Sequence, residues 1–274
     1  MENRRTVFFV SDQTGITAET MGHSLLTQFE GLKVRAVTLP FVSSVDKALE
    51  AVRRIDAVAA SDGVRPIVFS TLVQDELREI VMRGNGLFLD FFAAFVGPLE
   101  QELATRSTHR AGRAHGMADV EGYTARINAT NFALANDDGA GGDYARADVV
   151  LVGVSRSGKT PTCLYMALQY GVFAANYPLT EEDLESGELP ARLAPVRAKL
   201  VGLTIRAERL RQIRNGRRPE SRYASAQQVQ YEVRAAEALL KRHAITSIDT
   251  TECSIEEIAS RIINDSGSER RLRP

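Results

Sequence analysis

The sequence predicts an α/β protein, with two parallel-sheet domains in tandem, on three observations. In the N-terminal third, short β-branched and aromatic runs alternate with stretches of helical periodicity. A weakly patterned segment, 105–145, interrupts that alternation. A continuous apolar run at 147–153, Ala-Asp-Val-Val-Leu-Val-Gly, then restarts it in the form of a central strand covered on both faces. Strands bounded by turns and separated by helices imply βαβ units and parallel sheets.

Residues 6–10 form a first strand, closed by the polar turn Ser11, Asp12, Gln13, Thr14, Gly15. Residues 16–29 follow as a helix, with Ile16, Met21, Leu25, Leu26 and Phe29 at helical spacing. A strand is expected at 34–42, a helix at 45–60, a strand at 66–70 and a helix at 73–82. Between 105 and 145 only 123–135 reads as a helix, and Gly139, Gly141 and Gly142 punctuate its end. The domain boundary is therefore placed near 145, giving domains 1–145 and 146–274. In the second, a helix is expected at 161–170, a buried strand at 199–205, helices at 208–218 and 226–242, and a short strand at 244–249. Ser254 and Glu257 fit a capping box that opens a last helix, and the chain after Ser266 is expected to fray.

Across 274 residues, 44% are hydrophobic and 25% charged, and the formal net charge is -1. That balance leaves no global field to draw the chain to nucleic acid or to an anionic membrane. The two cysteines, Cys163 and Cys253, have no CxxC spacing, so each is expected as a small buried apolar residue. The apolar run at 7–10 is too short for a signal-peptide core, and no stretch approaches the roughly 20 residues that span a bilayer. A cytoplasmic location is expected.

Gly153, Val154, Ser155, Arg156, Ser157, Gly158, Lys159 and Thr160 match G-x-x-x-x-G-K-[ST] at every position, after a strand and before a helix. The two glycines permit backbone angles and close approaches that a Cβ blocks. Loop N–H groups can then point at phosphate oxygens, helped by the positive end of the following helix. Lys159 supplies a cation to the terminal phosphates, and the Thr160 hydroxyl is placed to hold Mg²⁺. The second domain is thus expected to be a P-loop kinase-like α/β domain.

The acceptor is less legible. Arg206, Arg209, Arg211, Arg214, Arg217, Arg218 and Arg222 cluster past the 199–205 strand, as either a lid over phosphates or a solvated helix face. No Walker-B pattern is evident, and Asp249 and the Asp137–Asp138 pair are the candidate metal-side or base carboxylates. In the first domain, the turn around Asp12 and Thr14 lies where open α/β sheets bind ligands, and either residue equally suits a helix cap. His115 is the most suggestive histidine, His23 is expected to pack, and no zinc site is indicated.

The extended run from Gly153 through Lys159, Thr160, Pro161, Thr162 and Cys163 to Tyr165 resembles the bifunctional regulators of phosphoenolpyruvate synthase and of pyruvate, phosphate dikinase. The likeness covers nearly the whole chain. It includes Ser11–Asp12 with Thr17 and Glu19, Leu39 to Phe41, Arg113 to Gly116, Asn136 to Gly139, Asn176 to Pro178, and Ser221 to Ala224. Gln13 departs from it, standing where the family pattern has Gly. The resemblance implies a serine/threonine kinase that uses ADP and Mg²⁺ to phosphorylate a threonine of its target, switching the target off. It also implies a phosphorylase that moves that phosphate to inorganic phosphate, releasing pyrophosphate. The target threonine would lie beside the catalytic histidine of the synthase or dikinase, and a homodimer is the expected assembly. Lys159, Arg156, Asp12 and Asp138 are the candidate catalytic residues. Two other readings of the loop are an ATP-dependent small-molecule kinase and a non-catalytic nucleotide-sensing module.

Overall fold

The computed structural model describes residues 4–109, 120–219 and 221–266. The chain divides into two compact units between residues 118 and 119. The first contains β1 (Arg4–Val10), α1 (Ile16–Leu26), β2 (Lys33–Leu39), α2 (Val45–Asp62), β3 (Ile67–Ser70), α3 (Asp75–Val81), β4 (Leu87–Asp90) and α4 (Phe91–Leu103). Its strands are all parallel in the order β2-β1-β3-β4. Two apolar layers sandwich the sheet, as a parallel sheet requires. Phe8, Val10 and Val68 face α2 and α3 through Ala48, Ile55 and Leu77. Val7, Phe9 and Phe69 face α1 and α4 through Ala18, Leu26 and Phe91.

The face that α1 buries differs from the expected stripe. Ala18, Gly22 and Leu26 are buried, while Ile16, Met21, Leu25 and Phe29 are exposed, and so is His23. Small residues let this helix lie close on the sheet. A Cβ on Gly22 would stand 2.6 Å from both Phe9 and Phe69, whose rings stack at 5.8 Å. Gly22→Ala is accordingly expected to destabilise the first unit by about 1–3 kcal/mol through overpacking. A urea titration with an unchanged midpoint would contradict this.

The second unit contains α5 (Val120–Ala135), β5 (Val149–Gly153), α6 (Lys159–Tyr170), β6 (Ala174–Pro178), α7 (Glu181–Ser186), β7 (Leu200–Thr204), α8 (Ala207–Arg217), α9 (Ala226–Arg242), β8 (Ser247–Asp249) and α10 (Ile255–Ser266). Its strands are again all parallel, in the order β6-β5-β7-β8. β5 is fully buried between two layers, one holding Met166, Ile258 and Ile262, the other Leu210, Val233 and Leu240. In both units the second strand flanks the first on one side and the third flanks it on the other. The connections that leave the first and the third strands therefore run to opposite sides, which opens a crevice between the carboxyl ends of those two strands.

The unit boundary lies earlier than the expected 145. Helix α5 packs on α6 and β6, with Ala129 and Ala133 buried beside Cys163 and Met166, so 119–145 belongs with the second sheet. Four elements were not anticipated: β4, α4, β6 and α7. Three further expectations are corrected. Cys163 is buried but Cys253 is only half-buried. The Ser254 hydroxyl accepts from the Glu257 N–H, but the Glu257 carboxylate pairs with Arg261, so only half of the capping box forms. Neither Asp12 nor Thr14 caps α1, whose N-cap is Gly15 with no side-chain bond. His115 and the chain after Ser266 lie outside the described residues. Among those described, no helix is long and apolar enough to cross a membrane.

Candidate functional site

At the switch point of the second unit, residues 154–158 join β5 to α6. Gly153 must lack a side chain, since a Cβ there would lie 2.4 Å from the Leu203 carbonyl oxygen. Arg156 and Gly158 both have positive φ, 76° and 92°. This turns the loop sharply and leaves the α6 N-terminus uncapped by any side chain. The Ser157 N–H donates to the Val154 carbonyl at 3.3 Å, whereas the amides of Ser155, Arg156, Gly158, Lys159 and Thr160 make no hydrogen bond among the described residues. Open amides at a helix N-terminus form an anion-binding concavity.

Lys159 is 4% exposed, and its Nζ donates to the Val154 carbonyl at 2.9 Å. Burial lowers its pKa to about 8, against the pull of the nearby Asp138 and Asp137 carboxylates. At neutral pH the loop therefore holds a buried ammonium. The Arg156 side chain is exposed. The Thr160 hydroxyl donates to Asp137 Oδ1 at 2.7 Å, and Asp138 is exposed on the same turn with φ 47°. Hard oxygen donors at Thr160 and on this turn suit Mg²⁺.

Residues that motif reading passed over brace this loop. The Thr250 hydroxyl, just past β8, lies within bonding distance of the Ser157 carbonyl at 3.1 Å and the Thr204 carbonyl at 3.0 Å. Arg214 is fully buried. Its guanidinium donates to the Ser155 carbonyl at 3.1 Å, the Tyr223 carbonyl at 3.0 Å and Glu232 at 2.6 Å, and lies 4.1 Å from the Tyr223 ring centre. The Tyr223 and Ser155 hydroxyls meet at 3.0 Å. The arginine cluster is thus divided. Arg214 is a strut under the loop, Arg206 pairs with Glu252, and Arg222 pairs with Glu181 at 3.1 Å. The only prior hint of Arg214's role was its place in the apolar phase of α8, four residues after Leu210.

Asp249 serves its own turn by accepting from the Thr251 hydroxyl and from the Thr251 N–H at 2.9 Å, and the hydroxyl's bond above all lowers its pKa. Asp12 lies in the first unit, at that sheet's own switch point. It is 5% exposed and accepts from the Val73 N–H at 3.2 Å, while burial pushes its carboxyl up. Its turn, 11–15, is followed by α1 with Gly15 at φ 85°, much as 154–158 is followed by α6. The first-unit turn has no counterpart of Lys159, since Ile16 stands there.

This arrangement agrees with what the whole chain is similar to. Residues 7–263 match the family model described as kinase/pyrophosphorylase. A protein of Azoarcus sp. (strain BH72) is 57% identical over 94% of this chain and 94% of its own. One of Ectopseudomonas mendocina (strain ymp) is 52% identical over 98% of this chain and 100% of its own. One of Pseudomonas aeruginosa (strain LESB58) is 51% identical over the full length of both. All three are named as phosphoenolpyruvate synthase regulatory proteins. With an uncapped loop around a buried lysine and a family match across nearly its whole length, the chain belongs to the kinase/pyrophosphorylase family.

Proposed function

We propose that this protein is a bifunctional serine/threonine kinase and phosphorylase whose target is phosphoenolpyruvate synthase. The observation that carries the reading is the ammonium of Lys159, buried at the foot of a loop of open amides in a kinase/pyrophosphorylase chain. The names of its relatives favour the synthase over the dikinase as target.

In the kinase direction, the threonine hydroxyl oxygen forms a bond to the β-phosphorus of ADP. The bond from that phosphorus to the oxygen bridging it to the α-phosphate breaks, and AMP leaves. The loop amides and Lys159 hold the phosphate oxygens and offset charge as it redistributes. Arg156, exposed on the same loop, adds a guanidinium to the migrating group. Asp138, exposed beside Lys159, is assigned as the acceptor of the threonine proton. Thr160 would hold Mg²⁺, which would supply further positive charge to the phosphates. In the phosphorylase direction, an oxygen of inorganic phosphate attacks the phosphothreonine phosphorus, and the threonine oxygen leaves and regains a proton. Pyrophosphate is then the product. Asp12, in the first unit, is assigned to acceptor positioning or phosphorolysis.

The test is intact-mass analysis of purified phosphoenolpyruvate synthase after incubation with this protein, Mg²⁺ and ATP-free ADP, with and without prior phosphorylation of its histidine. The expected result is one threonine-bound phosphoryl group, lost on adding inorganic phosphate with release of pyrophosphate. An unchanged mass, for the synthase and equally for the dikinase, would overturn the proposal.

A further inference from the structure

Motif reading left the loop's partner carboxylate open between Asp249 and the Asp137–Asp138 pair. In P-loop nucleotide sites, Mg²⁺ is shared between the loop's Ser or Thr and an aspartate from another segment. The strand beside β5 on one side, β7, offers none, because it ends in Thr204 and continues through Ile205 and Arg206. Asp249 ends β8, two strands from β5 and so about 10 Å away across the sheet, and it is engaged with Thr251.

On the other side of β5 lies β6, and here Asn176 is completely buried. A buried amide is costly unless both ends are bonded, and both of its ends serve one turn. Its Nδ2 donates to Asp137 Oδ1 at 2.5 Å, and its Oδ1 accepts from the Asp138 N–H at 3.1 Å. The Asn176 N–H also donates to the Asn136 carbonyl at 3.2 Å, at the head of that turn. The same Asp137 oxygen accepts the Thr160 hydroxyl proton. A hydroxyl that gives its single proton to a carboxylate presents its lone pairs elsewhere, and here they are left for a cation. Asp137 Oδ2 makes no hydrogen bond among the described residues.

We infer that Asp137 is the carboxylate partner of the cation held at Thr160, and that Asn176 is the positioning residue that sets it. The aspartate thus comes from a turn that precedes the loop's own strand, instead of from the end of a following strand. This inference rests on the nucleotide reading of the loop and adds a residue pair to it.

Mn²⁺ is the probe, its binding to the full-length protein with ADP followed by the loss of the free-ion electron paramagnetic resonance signal. Metal-free ADP affinity is measured separately by calorimetry, and each variant's fold is checked by thermal melting. Asp137→Asn, which keeps the side chain's shape, is expected to weaken Mn²⁺ binding about tenfold or more. Asn176→Leu is expected to weaken it about tenfold, the scale of a lost outer-shell contact. Asp249→Asn should bind as the unaltered protein does. Metal-free ADP affinity should change less than about twofold in all three. Wild-type Mn²⁺ affinity in folded Asp137→Asn would overturn the inference while leaving ADP binding at the loop intact. Failure of the unaltered protein to bind ADP at all would remove the nucleotide reading itself, and this inference with it.

Discussion

Replacing Lys159 with methionine is expected to abolish target phosphorylation and at the same time to make the protein more stable. The two effects have one cause. The ammonium is 4% exposed, and its pKa falls from 10.5 to about 8 because burial disfavours the charge. At about 1.4 kcal/mol per unit, that is a folding cost of about 3 kcal/mol while the group stays charged. Below pH 8 both folded and unfolded chains are protonated, and the cost is fully present. Between about pH 8 and 10.5 the unfolded chain holds the extra proton, so stability rises with pH in that window. Methionine keeps the length and volume of the side chain and removes the charge. It loses the bond to the Val154 carbonyl, worth about 1 kcal/mol. The net gain of about 2 kcal/mol corresponds to a melting temperature about 4–8 °C higher near neutral pH. Phosphoryl transfer should fall by at least about a hundredfold, as when a charge-stabilising donor is removed. In the unaltered protein, ADP affinity should decline as pH rises through 8. Calorimetric melting together with the intact-mass assay checks all of this. A variant that keeps wild-type activity would remove Lys159 from the site, and one that melts lower would show that the ammonium contributes more to the loop than its burial costs.

Arg214→Met is expected to act in the opposite sense on stability. Arg214 is fully buried and carries four contacts: the Ser155 carbonyl, the Tyr223 carbonyl, Glu232 and the Tyr223 ring. Methionine fills much of the space but leaves Glu232, only 13% exposed at its side chain, without its cation. Breaking one half of a buried ion pair typically costs about 3–5 kcal/mol. That would lower the melting temperature by about 10 °C. Because Arg214 also holds Ser155, part of the loss should appear as weaker ADP binding at temperatures where the variant is still folded. A change of less than about 2 °C would mean that Glu232 finds another partner, Gln228 being within 3.0 Å of it already.

Local pattern was enough to specify the α/β class, the strand at β5, the helix at α6 and the loop between them. A doubly covered strand is apolar without interruption, and a phosphate loop requires glycines and a lysine at set spacing. Those constraints lie within a few consecutive residues, so they survive in the sequence alone. Edge strands are different. β4 (Leu87–Asp90) and β6 (Ala174–Pro178) are short and lie at the sheet margin; β4 is partly exposed, and Ala, Asn and Pro in β6 dilute its β signal. Their place is decided by parallel pairing with β3 and β5. The α1 face was misread for a related reason, because large apolar residues dominate a periodicity count while Ala18 and Gly22 make the close contact.

The assembly around the loop was decided only by tertiary structure. Asp137, Arg214, Tyr223 and Thr250 come from four separate stretches of the chain, and each reaches the loop or its following helix through one or two directional bonds, while Asn176, on a fifth, bonds Asp137. No periodicity encodes such convergence. Sequence determined where the glycine-bearing turn between β5 and α6 falls, because the left-handed backbone at Gly158 is a local matter, whereas the close approach of Gly153 to the Leu203 carbonyl is made by the sheet. Which carboxylate and which arginine serve that loop depended on the strand order β6-β5-β7-β8, since spacing along the chain carries no information about which elements the sheet makes neighbours.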